Sequence, residues 1–253
     1  RDVSNDFPCD FEDKNSARLD TTEINLTLEK TKLLKFLKEN SLTENSLFLA
    51  AFSYVLAKYN GTGSSVVYAG ESGRHTSMTF NTAGMLVKTL PVYCCFTKDT
   101  SIAEYLAKTQ AQLLDSMQHD VFSFAEISHA YHIRPELMFV YQGDAFVDFE
   151  IGGQKTTFRE AVPDKAKACI SINIFVENGQ YRYEFEYMSH IYSKSFIEHF
   201  YDIFITAADS FLNADKIGDI SILSEKEEKL LSLGGETYTA FHDIFSKIDN
   251  ADL

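Results

Sequence analysis

The sequence predicts a mixed β-sheet with helices packed on it, an α/β fold of the α+β sandwich type. Strand-like runs with period two alternate along the chain with segments whose apolar residues recur every three or four positions. Residues 169–188 alternate on both sides of Asn178-Gly179, which predicts a hairpin with a type I′ turn. Residues 44–59 are apolar nearly all round, which is typical of a buried helix.

The first part of the chain predicts a linker, a strand and two helices. Residues 1–20 are polar and lack periodicity, which indicates an extended linker. Residues 21–28 alternate as a strand does, and a short helix follows at about 29–40. Thr43 is a good cap for the helix over 44–59, which Asn60-Gly61 ends.

The middle of the chain predicts two strands and two capped helices. Residues 65–70 form a buried strand, and residues 85–96 form another that Pro91 breaks or bulges. Ser101 and Glu104 form a capping-box pattern that opens a helix to about Met117. The same pattern recurs at Ser123 and Glu126 and predicts a second, shorter helix.

The last part predicts one strand, the hairpin and a long amphipathic helix. The strand covers 137–142, and residues 143–165 are interpreted as a strand with a long crossing loop. The helix covers about 193–212, followed by a short apolar stretch at 220–223. Ser224 and Glu227 predict a last small helix in a weakly patterned tail.

Composition excludes several classes of protein. The net charge of −14 argues against a nucleic-acid or anionic-membrane surface, because both need clustered Lys and Arg. No run of about 20 apolar residues predicts a membrane span, and the polar N-terminus lacks a signal region. We expect a cytoplasmic protein that binds neither nucleic acid nor membrane. The chain starts without Met, so we expect a piece of something longer.

Four cysteines, Cys9, Cys94, Cys95 and Cys169, occur without a CxxC pair. A zinc site needs paired ligand spacings, so no metal is expected. Reduced cysteines in a cytosolic protein are the plainer interpretation.

Several segments carry a family resemblance in consistent order. Residues 49–74 (LAAFSYVLAKYNGTGSSVVYAGESGR) resemble a pattern of a buried helix, a strand and a Gly-Arg loop. Residues 83–93 (AGMLVKTLPVY) resemble the motif I-G-x-F-V-N-T-L-P-x-R. Residues 117–127 (MQHDVFSFAEI) resemble H-Q-D-V-P-F-E-x-[LI], and residues 134–144 (RPELMFVYQGD) resemble N-P-L-F-Q-V-M-F-V-L-Q-N. Together with GDISILSEKEEKLL at 218–231, they resemble the condensation domains of non-ribosomal peptide synthetases.

The resemblance implies one lobe of a chloramphenicol-acetyltransferase-like pair. Residues 21–223 would be the C-terminal lobe, 1–20 a linker from the N-terminal lobe, and 224–253 a linker towards an adenylation domain. The implied partners are the N-terminal lobe, carrier proteins bearing phosphopantetheine arms, and that adenylation domain. The lobe's exposed face predicts association with the partner lobe or a homodimer. No cofactor is expected on the chain itself.

The family's catalytic motif H-H-x-x-x-D-G does not occur in this sequence. The seven histidines include no adjacent pair, and none has Asp four residues later. We therefore expect no catalytic residue in this chain and an inactive fragment when it is isolated. No G-x-S-x-G elbow or phosphate-binding loop offers another chemistry.

The expected role is to line the channel in which two carrier-bound thioesters are joined. The resemblance points to the segments 70–76 and 83–93, and its candidate lining residues are Arg74, Gly84, Val87, Lys88 and Thr89. Arg74 is expected to meet a carrier-arm phosphate, with a structural salt bridge as an equal alternative. Lys88 is expected to point into the channel, with solvent exposure as the alternative.

Three further motif positions, His119, Asp120 and Cys169, are interpreted as structural. Lys88 stands where the family usually has Asn, Tyr93 where it has Arg, and Cys169 where many members have Asp. Two alternatives stay open: an epimerization- or heterocyclization-type relative, and a non-catalytic lobe that docks carrier proteins.

Overall fold

The computed structural model describes residues 19–24, 28–74, 76–132, 136–144, 150–155 and 168–223. The strands are β1 (Leu19–Ile24), β2 (Ser64–Glu71), β3 (Lys88–Cys95), β4 (Leu137–Gly143), β5 (Glu150–Ile151), β6 (Gln154–Lys155), β7 (Ile170–Glu177) and β8 (Gln180–Met188). The helices are α1 (Lys30–Glu39), α2 (Glu44–Tyr59), α3 (Ser77–Phe80), α4 (Ile102–Gln118), α5 (Phe124–Tyr131) and α6 (Lys194–Ser210).

Six strands form one mixed sheet in the order β1-β8-β7-β4-β2-β3. β2, β4 and β7 are parallel to one another, whereas β1, β3 and β8 pair antiparallel with their neighbours. The predicted mixed sheet is confirmed. Because the three central strands are parallel, their carboxyl ends lie at one edge of the sheet, which also holds the β2–β3 connection.

Helix α2 lies at the centre of the fold, packed on the sheet and flanked by α4 and α6, which themselves pack against β3 and β8. Every residue from Ser46 to Ala57 is buried, as the all-round apolar pattern predicts. Its aromatic side chains pack edge to face, with Phe52 at 5.8 Å from Phe200 and Phe48 at 5.9 Å from Tyr183, measured between ring centroids. Such pairs add about 0.5–1.5 kcal/mol each beyond simple burial.

Both ends of α2 have the local structure that the sequence predicts. Thr43 accepts a hydrogen bond from the backbone N–H of Ser46, and the Ser46 hydroxyl accepts one in return. At the other end Gly61 has φ +63°, and the N–H of Thr62 donates to the carbonyl of Ala57. This is a Schellman motif, which satisfies carbonyls that the helix itself leaves unpaired.

Helix α5 covers part of the opposite face of the sheet. Phe124 packs edge to face on Tyr68 of β2, with ring centroids 5.2 Å apart. Tyr68 alternates with Val67 and Ala69, which face the core on the α2 side. Helices therefore lie on both sides of the sheet, as the sandwich prediction requires.

The prediction of a strand over 85–96 with a break at Pro91 is wrong in two respects. β3 starts at Lys88, and its pairing with β2 runs through Pro91 without a register shift. β3 is an edge strand, so the missing N–H of Pro91 costs no hydrogen bond to a second neighbour. The Pro91 carbonyl accepts a hydrogen bond from the Ser116 hydroxyl at 3.1 Å, so this edge is partly covered by α4.

The other elements differ from prediction mainly at their ends. β1 covers 19–24 where 21–28 was expected, and the one-turn helix α3 was not predicted. The interval 143–165 contains the small β5–β6 hairpin, and the predicted turn at Asn178-Gly179 is confirmed by φ values of +50° and +77°. The linker predicted over 1–20 is wrong at residues 19 and 20, which belong to β1; its other residues and the helix predicted after Ser224 lie outside the described residues.

Candidate functional site

The β2–β3 connection, residues 72–87, is a long loop that contains the one-turn helix α3. Antiparallel pairing of Glu71 with Lys88 closes its base. Gly73 has φ +67°, and a Cβ placed there would lie 2.0 Å from the carbonyl oxygen of Leu86. The two arms of the loop therefore approach so closely that only glycine fits at this position.

Arg74 is bonded to the main chain of this loop. Its Nη1 donates to the carbonyls of Thr79 at 2.8 Å and Thr82 at 2.5 Å, and its Nη2 donates to the carbonyl of Gly84 at 2.9 Å. These are charge-assisted hydrogen bonds, which are stronger than neutral ones. Within the described residues, the partners of the Arg74 guanidinium are thus three carbonyls rather than a carboxylate.

Lys88 joins the loop to the connection between α4 and α5. Its ammonium lies 2.9 Å from the carboxylate of Asp120 and 2.5 Å from the carbonyl of the same residue. Both side chains are partly exposed, at 37% and 25%, so the pair is worth about 1 kcal/mol or less. Its effect is geometric: it fixes residues 119–122 against the start of β3.

His119 and Asp120 point in different directions. The His119 Nδ1 lies 2.8 Å from the carbonyl of Asp115 and 3.3 Å from its carboxylate, back along α4. Asp120 turns the other way, towards Lys88. The two side chains therefore have separate partners in the structure.

Six large apolar side chains lie near Lys88 or Asp120 in the sequence and are 62–89% exposed. Four belong to the β2–β3 loop or its end and two follow Asp120: Met78, Phe80, Met85, Val87, Val121 and Phe122. We call this set the apolar rim. Exposed apolar groups concentrated in adjoining loops mark an interaction surface more often than scattered ones do.

The structure brings most of the predicted site residues together. Arg74, Gly84, Val87 and Lys88 share the loop and its end, and Thr89 follows in β3 opposite Gly70. His75 lies outside the described residues.

Cys169 lies elsewhere. It directly precedes β7, at the amino end of a strand parallel to β2, and so at the sheet edge away from the loop. Its carbonyl accepts a hydrogen bond from the N–H of Met188, and it packs against the core.

Sequence reasoning missed a carboxylate–tyrosine cluster at the same sheet edge as the loop. The Glu44 carboxylate accepts hydrogen bonds from the hydroxyls of Tyr141, at 2.8 Å, and Tyr181. Burial, reinforced by Glu44, raises the pKa of both phenols above its ordinary range. The cluster ties the start of α2 to the end of β4 and the start of β8, and no local pattern in the sequence signals it.

The described residues hold no group of three or more His, Cys, Asp or Glu side chains that could bind a metal ion. Cys94, Cys95 and Cys169 form no disulfide. Among the helices of the described ranges, none is long and apolar enough to span a membrane.

Comparison with known proteins identifies the class. The described fold, with its mixed six-stranded sheet and flanking helices, is that of the chloramphenicol-acetyltransferase-like domains. Residues 3–232 match the Condensation domain family, so the chain belongs to that family.

The curated relatives are very long proteins. Bacitracin synthase 1 of Bacillus licheniformis is 24% identical over 236 residues, covering 86% of this chain and 4% of that protein. Gramicidin S synthase 2 of Brevibacillus brevis is 26% identical over 239 residues, covering 85% and 5%. The chain thus spans a small fraction of the relatives that it matches.

Solved structures share the fold at low identity. A holo four-domain non-ribosomal peptide synthetase bound to AMP and glycine matches with a TM-score of 0.73 and 16% identity, covering 88% of this chain and 19% of that one. The condensation domain of monacolin K polyketide synthase matches with a TM-score of 0.68 and 13% identity, covering 83% of this chain and 53% of that domain. This chain therefore corresponds to about half of a solved condensation domain.

Proposed function

We propose that this chain is the C-terminal lobe of a non-ribosomal peptide synthetase condensation domain, and that residues 72–88 and 119–122 form one wall of its reaction channel. The observation that carries the proposal is the Lys88–Asp120 contact, which joins the two motif segments below the apolar rim. The match over half of a solved condensation domain supports the assignment to one lobe.

The proposed reaction joins two carrier-bound thioesters. The amine of the acceptor attacks the thioester carbonyl of the donor, a C–N bond forms, the C–S bond breaks, and the amine proton passes to the departing thiolate. A histidine that positions or deprotonates the amine is expected on the other lobe, because no H-H-x-x-x-D-G motif occurs in this sequence. The part proposed for this chain is to hold the phosphopantetheine arms in register, which removes the entropy of bringing the reactants together.

The proposed partners follow from this role. They are the N-terminal lobe, the donor and acceptor carrier proteins, and an adenylation domain, all in the cytoplasm. The curated relatives, which are peptide synthases, support this set. The apolar rim is the surface proposed to face the N-terminal lobe, since its side chains lack cover in the described residues.

The proposal is tested in the full-length synthetase that contains this chain, with loaded donor and acceptor carriers. We expect the wild-type synthetase to form the peptide product. Lys88→Met should lower the rate of product formation about tenfold, because the phosphopantetheine arms would no longer be held in position. Lys194→Met, which removes an exposed helix lysine paired with Glu198, is the matched control and leaves the rate unchanged.

Two results would contradict the proposal. An upstream sequence without an H-H-x-x-x-D-G lobe would remove the proposed chemistry. Binding of carriers without any peptide product would favour the non-catalytic docking lobe instead.

A further inference from the structure

Arg74 holds the β2–β3 loop through hydrogen bonds to its main chain. The guanidinium reaches three carbonyls spread over residues 79–84, at the end of α3 and in the turn that follows. α3 has four residues and none of them is buried. A single helical turn in water is not stable by itself, so its shape has to come from outside contacts.

The other contacts of this segment lie within the helical turn or at the base of the loop, and one of them is the hydrogen bond of 2.6 Å that the Thr82 hydroxyl donates to the carbonyl of Met78. Thr76 and Thr79 form a reciprocal capping box at the start of α3. Gly73 packs against the Leu86 carbonyl at the base of the loop. Between them, Arg74 spans the distance from Thr79 to Gly84. It is the side chain that connects the helical turn to the segment that carries Met85 and Val87.

The geometry requires a guanidinium. Its planar fork presents N–H groups in several fixed directions, so one side chain meets three carbonyls at once. A lysine ammonium keeps the charge but offers one compact centre, which cannot reach carbonyls on both sides of the turn in the same way.

We propose that Arg74 is a positioning residue for the apolar rim, setting the conformation in which Met78, Phe80 and Met85 meet the N-terminal lobe. This inference rests on the proposed function, because it takes that lobe as the partner. It differs from the expectation drawn from the sequence, in which Arg74 meets a carrier-arm phosphate. The guanidinium acts through the loop and touches no substrate.

The test uses this 253-residue chain and the N-terminal lobe of the same synthetase, expressed as a separate polypeptide. Arg74→Lys and Arg74→Met are expected to weaken binding of that lobe by about tenfold, a loss of about 1.4 kcal/mol. Amide hydrogen exchange within 76–87 should become faster, while exchange in α2 and the melting temperature stay unchanged. Lys35→Met removes an exposed lysine of α1 and serves as the control with unchanged binding.

The outcomes separate the inference from the proposed function. Failure of the wild-type chain to bind the N-terminal lobe would overturn the proposed partner, and with it this inference, even if exchange in 76–87 still increases. Wild-type binding with equal affinity in both Arg74 variants would overturn the inference alone. A large fall in melting temperature in both variants would also overturn it, because Arg74 would then be a general stabilising residue.

Discussion

Gly73 and Gly61 both adopt left-handed backbone conformations, but their surroundings differ. A Cβ at Gly73 would lie 2.0 Å from the Leu86 carbonyl, whereas a Cβ at Gly61 meets nothing within 4 Å. The first position is constrained by backbone conformation and by space, and the second by conformation alone.

Replacing Gly73 by Ala should therefore cost more stability than replacing Gly61. We expect Gly61→Ala to lower the free energy of unfolding by about 1 kcal/mol, the usual cost of the left-handed conformation. Gly73→Ala should lower it by about 3 kcal/mol, since the loop must also shift away from Leu86. Urea unfolding of both variants measures the difference, and equal losses would contradict the close approach.

The Glu44–Tyr141 hydrogen bond predicts a dependence of stability on alkaline pH. The pKa of Tyr141 is raised in the folded state by burial and by Glu44. Above the ordinary tyrosine pKa of about 10, the unfolded chain releases the proton while the folded chain keeps it. The stabilisation that the protonated Tyr141 contributes is thus fully present below about pH 10 and is lost as the pH rises further.

Tyr141→Phe should lower the free energy of unfolding by about 1 kcal/mol at pH 7, because one hydrogen bond is lost. Its stability should also fall less steeply than that of the wild type between about pH 10 and 11. Urea unfolding over this range measures both effects. Tyr131→Phe, at a residue that is 74% exposed, is the control expected to match the wild type. If the free energy of unfolding of Tyr141→Phe fell with pH as steeply as that of the wild type, the pH dependence would not come from Tyr141.

At the scale of elements, the capped helices α2 and α5 differ in how many of their residues are buried in the core. α2 is buried along nearly its whole length, whereas α5 has no buried residue. Gln110 of α4 also accepts a hydrogen bond from the N–H of Thr43 at 2.9 Å, so the start of α2 is tied to a second helix.

Removing the cap should therefore have global consequences for α2 and local ones for α5. Thr43→Ala should lower the free energy of global unfolding by about 1 kcal/mol. Ser123→Ala removes the same kind of cap from α5 but should change global stability by about 0.5 kcal/mol or less, with faster hydrogen exchange confined to α5. Denaturant unfolding with exchange mass spectrometry distinguishes them, and equal global losses would refute this difference between the helices.

For the whole molecule, the apolar rim predicts association. Met85 and Phe122 are 89% and 62% exposed and lie in the two segments that Lys88 and Asp120 connect. Without an N-terminal lobe present, we expect the isolated chain to self-associate through this surface at high concentration.

Met85→Ser combined with Phe122→Ser should reduce this association without lowering the free energy of unfolding, because neither side chain is buried. Light scattering across a concentration series measures the assembly. Leu34→Ser, at an exposed residue of α1, is the control that leaves association unchanged. A wild-type chain that stays strictly monomeric would count against the prediction.

Local sequence patterns predicted most of the elements and few of the relations between them. The alternation at 170–177 and 180–188, the Asn178-Gly179 turn and the caps at Thr43 and Ser123 depend on neighbours a few residues away, and all are confirmed. Pro91 misled the prediction, because a proline's effect in a strand depends on whether that strand lies at an edge.

The sequence by itself predicted the mixed sheet and the buried central helix, and it lacks the paired histidine motif; its family resemblance pointed to the segments 70–76 and 83–93 as candidates for the channel wall. The first three properties follow from residue types and short-range spacing. The tertiary structure decided that Arg74 binds three carbonyls, that Lys88 meets Asp120 while His119 meets Asp115, and that Glu44 joins two tyrosines. Such contacts bring together residues up to 137 positions apart, and no local pattern records which side chains the folded backbone places side by side.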